Sequence, residues 1–513
     1  INLITIYPEY GSWRDFRKLY ELSYEYEHLD NIHHLREVLE DKWVQQLQTD
    51  YKTVQQFNYN TNVDKKKEDV IVSLCAKWIV KEKNSLNRKC KVVNRLAKKL
   101  SPKEPQSKQK KIYRHVVSYI NKFLDTTEIK MCKKQYSKIN YNNVPSRLLH
   151  KSGKAFANEQ RGNSNSGKLR YKHDKDRMIG REQYIDYLTS QGAIKGNQVN
   201  IYELVAKCRT KCSSTDKLLI NAQWKCHRDK FITGLREQGL SLERLLVLAD
   251  VSGSMDVDNK RPMNTSLATA IMIADIQKIA GSPFGGKFLS FTTEPDWVIL
   301  PDTDCLFTKV NYALKSPWGG STNLIKAFEK IIEVGLQYKL TSSQMPETLV
   351  IVSDMQFDCA QGTLLKYNYP VLSTLGSDVG NFFNRLSQQA SEYKQEYSYA
   401  RKASMLKDYA PTHKMVSDAY LEAGKIACGS GWKMPLTLYW NVSGGMSPYP
   451  VQVNTPNTVM LSGYNFHTLQ LIISGSSVED IEEAHLLATN KTGTSKDPIN
   501  SLQIFNKAMN DER

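Results

Sequence analysis

The chain has 513 residues, 40% of them hydrophobic and 24% charged, with a formal net charge of +17. That length supplies two or more ordinary cores, while no apolar run approaches the roughly 18 residues of a membrane helix, so no membrane partner is expected. Asn2, Tyr7, Glu9 and Arg14 break the first apolar stretch as a signal peptide would not. Nine cysteines without a regular spacing suit a reducing compartment, which predicts a cytoplasmic location, with a virion as the other setting.

The charge is not spread evenly. Residues 1–240 hold 47 Lys and Arg against 26 Asp and Glu, whereas residues 241–513 hold 23 against 27. All of the positive excess belongs to the first part, which predicts two different domains, 1–240 and 241–513, the first attractive to an anionic polymer.

In chain order, helical periodicity comes first. Ile32, Leu35, Val38, Leu39, Trp43 and Leu47 recur at three- and four-residue steps, as do Val70, Leu74, Trp78 and Ile79, then Val93, Leu96, Ala97 and Leu100, then Val116, Ile120 and Leu124. The first part therefore reads as a basic all-helical, repeat-like domain. Its cations concentrate between Lys77 and Arg114. Lys91, Arg95, Lys98 and Lys99 are expected on one helical face, and Pro102 and Pro105 to open a loop carrying Lys108, Lys110 and Lys111, with Arg114 following. These eight residues are the candidate nucleic-acid contacts, and Tyr113, Tyr136, Tyr141 and Tyr171 stand among the cations where unpaired bases would stack. Residues 150–177, punctuated by Gly and Ser, read as a second basic loop. Cys208, Cys212, Cys226 and His227 make a poor zinc set, because an adjacent Cys-His pair does not converge on one tetrahedral ion; His173 and His227 read as surface or packing residues.

From Leu245 the pattern becomes α/β. LLVLAD (245–250), GKFLSF (286–291), TLVIVSD (348–354) and LTLYWNV (436–442) read as strands, with the HTLQLIIS region after them, and SLATAIMIADIQKIA (266–280) and STNLIKAFEKIIEVGLQY (321–338) as helices. This predicts a doubly wound α/β sheet with a helical insertion at about 360–430, inside which YNYPVLSTLGSDVGNFF is expected to form a lid or partner surface. Ligands of such sheets bind at the carboxyl ends of the strands. Asp250 ends one strand and Asp354 another; Ser252 and Ser254 follow the first on a loop that Gly253 is expected to turn tightly, and Thr322 stands at a loop-to-helix junction. Two carboxylates and three hydroxyls make an oxygen-only set suited to a hard cation such as Mg2+. Catalysis is not expected: Ser252 occupies the place of a second carboxylate, and neither a Walker lysine pattern nor a Ser-His-Asp set is present.

Asp250, Ser252 and Ser254 form DxSxS, and with Thr322 and Asp354 they resemble the metal-ion-dependent adhesion site of von Willebrand factor A domains. That resemblance implies serine and threonine hydroxyls on the ion, aspartates holding its waters and the serine hydroxyls, and one coordination position open to an acidic residue of a protein partner. A helical domain followed by an A domain is similar to the Ro (TROVE) ribonucleoproteins, whose helical repeats bind RNA. YPEYGSWRDF (7–16), AKWIVKEK (76–83), residues 119–156 and the stretch from LLVLADVSGSM to LSGYNF also resemble an uncharacterised family of plants, fungi and amoebal giant viruses. The function these resemblances imply is a non-enzymatic RNA-binding or ribonucleoprotein scaffold with a metal-dependent partner site. The alternative is a structural or assembly protein that uses the same metal site for protein contacts.

Overall fold

A computed structural model of the chain describes residues 12–28, 30–59, 70–160, 162, 167–190, 194, 196, 198–237, 244–292, 295–315, 324–355, 409–443, 457–464 and 466. It divides into two compact units, one of Ile1–Asn140, His173–Arg181 and Ser501–Arg513, the other of Tyr141–Lys172 and Glu182–Asn500.

The described elements of the first unit up to Asn140 are helical: α1 (Trp13–Leu22), α2 (Ile32–Tyr59), α3 (Cys75–Trp78), α4 (Ser85–Cys90), α5 (Val92–Leu100), α6 (Gln106–Leu124) and α7 (Thr127–Cys132), with one 3-10 turn after them. The apolar stripes meet in one core. Trp43 of α2 lies 5.3 Å from Phe16 and 4.8 Å from Tyr20 between ring centroids, and Leu96 of α5 with Tyr113 and Ile120 of α6 closes around them. The stripe at Val70, Leu74, Trp78 and Ile79 shrinks to the single turn of α3. Asp50 holds the Ser73 N–H and hydroxyl at 3.2 and 2.6 Å, and this side-chain bonding competes with a longer helix.

One of the expected loops is helical, and the other is helical only at its two ends. Lys108, Lys110 and Lys111 lie in the first turns of α6, because Pro105 has the extended backbone of an N-cap (φ −63°, ψ 150°) and starts a helix where a break was expected. Residues 150–177 begin inside α8 (Ser146–Phe156) and end inside α9 (Lys175–Thr189).

The second unit contains α8, α9 from Glu182, α10 (Ile201–Cys208) and α11 (Ser214–Glu237), then β1 (Leu245–Asp250), α12 (Arg261–Ile279), β2 (Lys287–Phe291), β3 (Trp297–Ile299), α13 (Leu306–Ala313), α14 (Leu324–Gln337), β4 (Thr348–Ser353), α15 (Tyr409–Cys428), β5 (Leu436–Asn441) and β6 (Thr458–Ser462). The six strands form one mixed sheet in the order β3-β2-β1-β4-β5-β6, parallel throughout except for β3, which pairs antiparallel with β2. Alternate residues of β1 face opposite cores. Leu245, Val247 and Ala249 pack with α12, whereas Leu246 and Leu248 pack with α14 and α15. Burial on both faces is why β1 is apolar without alternation. The HTLQLIIS region, YNYPVLSTLGSDVGNFF and residues 360–408 of the expected insertion lie outside the described residues; α15 occupies the insertion's end.

The charge asymmetry changes at residue 240, but the packing changes at Tyr141. Val199, Ile201, Leu204, Val205, Cys208, Ile220, Trp224 and Phe231 belong to the same hydrophobic core as Leu245, Val247 and Ala249. These helices are part of the wall of the sheet.

In the same unit, His150 of α8 is half-buried with its Nδ1 3.3 Å from Gln223 Oε1 of α11. Burial pulls its pKa down to about 4, and the nearby Lys207 and Arg147 add to the effect against opposition from Gln223 and Asp216. Its folded pKa lies below the ordinary 6.5, so the unfolded chain takes up the proton first and stability is lost as pH falls from about 6.5 towards 4. Between pH 7 and 5, urea denaturation of the wild type is expected to lose about 2 kcal/mol more than that of His150→Gln. Equal losses in the two proteins would show that His150 is not the group responsible.

Candidate functional site

β1 and β4 are neighbours, yet the chain leaves β1 for β2 on one side and reaches β4 on the other. The connecting helices α12 and α14 cover opposite faces. A crevice opens where such connections diverge, at the carboxyl ends of the two strands. Asp250 and Asp354 stand at those ends, 0% and 2% exposed.

Both Asp250 oxygens have donors. The Ser252 N–H donates to Oδ1 at 2.9 Å, forming an Asx turn, and the Ser353 hydroxyl donates to Oδ2 at 2.5 Å. Ser353 in turn accepts the Met355 N–H at 3.1 Å. Ser252 Oγ and Ser254 Oγ lie 2.9 Å apart at the solvent side of the loop. Burial raises the Asp250 pKa to about 6; Ser353 and Ser252 oppose the shift, and the Asp354 charge adds to it. Two buried carboxylates close enough for the charge of one to raise the pKa of the other make a site whose electrostatics favour a cation.

Asp250, Ser252, Ser254 and Asp354 thus occupy one strand-end locality, while Thr322 lies outside the described residues. Among the described residues no group of three or more His, Cys, Asp and Glu side chains is placed to hold a metal; the candidate site draws half of its four described members from serine. His227, from the poor zinc set, has Nε2 2.6 Å from the Val199 carbonyl oxygen. Gly253 does not have the role expected of it: its φ is outside the left-handed region, and a Cβ there would meet nothing within 4 Å. The backbone demand comes later, at Asp258, Asn259 and Lys260, with φ of 46°, 55° and 64°. Asp and Asn tolerate that conformation better than most residues.

Ser353 is the site residue that sequence reasoning missed. The signal was a single hydroxyl after four apolar residues, directly before a strand-end aspartate. A similar motif ends β5, where Asn441 Oδ1 accepts from the Ser443 N–H and hydroxyl, each at 2.9 Å. Ser353 and Asn441 are register partners, so three adjacent strands finish in polar residues at one edge.

The candidate nucleic-acid residues divide into two groups. Arg95 Nε bonds Glu40 at 2.8 Å and Lys99 bonds Asp41 at 2.7 Å. Lys108 pairs with Glu104 at 2.9 Å, and Arg114 with Glu82 at 3.5 Å. Lys91, Lys98, Lys110 and Lys111 have no acidic partner among the described residues. Lys91 does not share the α5 face: it is the left-handed junction between α4 and α5, with φ 50°. Tyr113 is unavailable for stacking because it is buried and donates to the Val80 carbonyl at 2.6 Å. Tyr141 is likewise enclosed by Phe156, Tyr184 and Tyr187. Arg177 covers the Tyr136 ring at 3.6 Å, whereas Tyr171 is exposed beside Arg170.

The family described as "Domain of unknown function (DUF7788)" matches residues 245–509, more than half of the chain and all six strands. The chain belongs to that family. Another, "Domain of unknown function (DUF2828)", matches residues 16–239. An uncharacterised protein of Acanthamoeba polyphaga mimivirus is 30% identical over 367 residues, covering 68% of this chain and 57% of its own length. The chain therefore spans well under two thirds of that relative. No solved structure matches. The DUF7788 match begins at the first residue of β1 and contains the whole candidate site, whereas the helices that complete one side of its core, α10 and α11, fall in the DUF2828 match.

Among the described residues no helix is long and apolar enough to cross a membrane.

Proposed function

We propose that this chain is a non-enzymatic scaffold of the von Willebrand factor A type, in which Asp250, Ser252, Ser254, Thr322 and Asp354 hold Mg2+ or another divalent cation for an acidic residue of a protein partner, and the basic helices carry RNA. The observation that supports it most is the convergence of Asp250 and Asp354 with the paired Ser252 and Ser254 hydroxyls at the strand ends of a sheet switch point. The donor chemistry fits a hard ion, since every member offers oxygen. Asp250 already accepts a donor on each oxygen, so it suits a role of orienting the serines and supplying negative charge, while the solvent-side hydroxyls suit direct contact. The surplus of 47 basic over 26 acidic residues in 1–240 supports the RNA part of the reading. The assembly-protein alternative shares the cation site and differs in lacking RNA.

The test is calorimetric titration of Mg2+ into the full chain and into Ser254→Ala and Asp354→Asn, with the nucleic acid that co-purifies identified by absorbance and nuclease treatment. Each variant is expected to weaken Mg2+ binding at least about tenfold, equivalent to about 1.4 kcal/mol. Ser353→Ala, which removes a positioning bond to Asp250, is expected to weaken it about 10- to 100-fold. A wild type that binds no divalent cation would refute the metal reading. Cation binding without co-purifying RNA would favour the assembly alternative.

A further inference from the structure

The first unit contains a cleft of about 660 Å3 between α2, the segment after α1, and the end of α5. Its wall carries Arg36, Arg95, Lys98 and Lys99, of which Arg36 and Lys99 are paired with Glu27 and Asp41, against two acids of its own, Glu37 and Glu40. One of those acids is already committed. Glu40 is buried and accepts the Tyr20 hydroxyl at 2.5 Å and Arg95 Nε at 2.8 Å, so its charge is neutralised within the wall. Lys98 is exposed, with no acidic partner among the described residues, and His33 adds a further nitrogen base at the cleft.

The other property of the cleft is a flat surface. The Arg36 guanidinium lies 3.8 Å from the centre of the Tyr24 ring, held there by Ser23 Oγ at 3.1 Å, by the Ser23 carbonyl oxygen and by Glu27 Oε1 at 3.1 Å. The Tyr24 hydroxyl accepts from Arg95. A guanidinium locked onto an aromatic ring is a planar platform already ordered before any ligand arrives, and such platforms stack on nucleobases. The volume falls in the range of small-molecule sites. Free lysine charge beside a stacking surface defines a ligand with an anionic group attached to a flat ring.

We propose that this cleft is a binding site for a nucleoside 5′-phosphate, with Lys98 on the phosphate and the Arg36–Tyr24 platform under the base. The same chemistry is offered by a free nucleotide and by the phosphorylated 5′ end of an RNA. The inference deepens the RNA-binding reading of the basic helices and rests on it for its macromolecular source, but is independent of the cation site.

The experiment titrates AMP, adenosine and inorganic phosphate into the full chain, and repeats the AMP titration with Lys98→Glu and with Lys122→Glu, which lies on α6 away from the cleft lining. AMP is expected to bind at least tenfold more tightly than adenosine or inorganic phosphate. Lys98→Glu is expected to lose at least tenfold in AMP affinity and Lys122→Glu to change little; both lysines are exposed, and circular dichroism checks that the folds are kept. Equal binding of AMP and adenosine, equal binding of AMP and inorganic phosphate, or an unchanged Lys98→Glu would each overturn the site. A 5′-phosphorylated oligoribonucleotide that displaces AMP, when its 5′-hydroxyl counterpart does not, supports the site and names an RNA end as its source; AMP binding without displacement supports it as a free-nucleotide site. RNA binding with no AMP binding would overturn the cleft proposal and leave the polymer reading intact.

Discussion

Asp275→Ala is expected to destabilise the α/β unit by about 3–5 kcal/mol, the cost of leaving one partner of a buried ion pair alone. Asp275, on α12, is 4% exposed and Lys309, on α13, is 6% exposed. Lys309 Nζ donates to Asp275 Oδ1 at 2.5 Å, and the Trp224 indole N–H, from α11, donates to Oδ2 at 3.1 Å. One carboxylate therefore ties together three helices on the same side of the sheet. Its removal leaves an ammonium and an indole N–H without their acceptor, and neither group reaches bulk water easily. The desolvation already incurred by the pair predicts a contrast: Asp275→Leu with Lys309→Met should lose much less than Asp275→Ala alone, because no buried charge remains. Urea melts of the three proteins measure this. A double variant as damaged as the single one would mean that shape, not charge, governs the position.

The second large effect is expected at Gly424. An added Cβ there would press into the backbone nitrogen of Trp432 and stand 2.7 Å from both the Ser430 carbonyl oxygen and Trp432 Cγ. Across the indole, a Cβ at Gly335 would press into the ring edge of Trp432 and stand 2.8 Å from Met345 Sδ. Trp432 is buried between α14 and α15, with its indole N–H bound to the Leu340 carbonyl at 3.1 Å. Alanine favours a helix over glycine by about 1 kcal/mol, and overpacking opposes this by about 1–3 kcal/mol or more. At Gly335 the obstacle is a side chain, which can shift. At Gly424 it includes backbone on the loop leading to β5, which cannot shift without moving that loop. Gly424→Ala is expected to be the worse substitution, with a net loss above about 2 kcal/mol, and Trp432→Phe to relieve Gly335→Ala more than Gly424→Ala. Equal relief in thermal denaturation would refute this division between side-chain and backbone conflict.

Much of the second unit could be read without coordinates because its physical demands are local. A central strand covered on both faces must be largely apolar, and β1, β4 and β5 are, apart from Thr348, Thr437 and the polar residues at their carboxyl ends; a helix against such a sheet must keep a stripe, and α14 does. The strand ends could also be read, since a carboxylate directly after five apolar residues, or one serine beyond four, has nowhere to go except the sheet edge. β3 and β6 escaped notice for the same reason in reverse. They are short edge strands, partly exposed, and their residues carry no periodicity strong enough to stand out.

By itself, the sequence determined that a basic helical part precedes an α/β part, that the two aspartates stand at strand ends, and that the serines follow one of them; these depend on neighbours in the chain. Tertiary structure alone decided which cations remain without an acid, because Glu40, Asp41 and Glu82 reach Arg95, Lys99 and Arg114 only through folding. It likewise moved α10 and α11 into the core of the sheet unit, across the change in charge at residue 240, since buried apolar surface and the Trp224–Asp275–Lys309 contact outweigh the sign of the surface. It also brought the Ser353 hydroxyl to Asp250, 103 residues away in the chain. Pairings of that separation follow from the order of strands in the sheet, which no local pattern encodes.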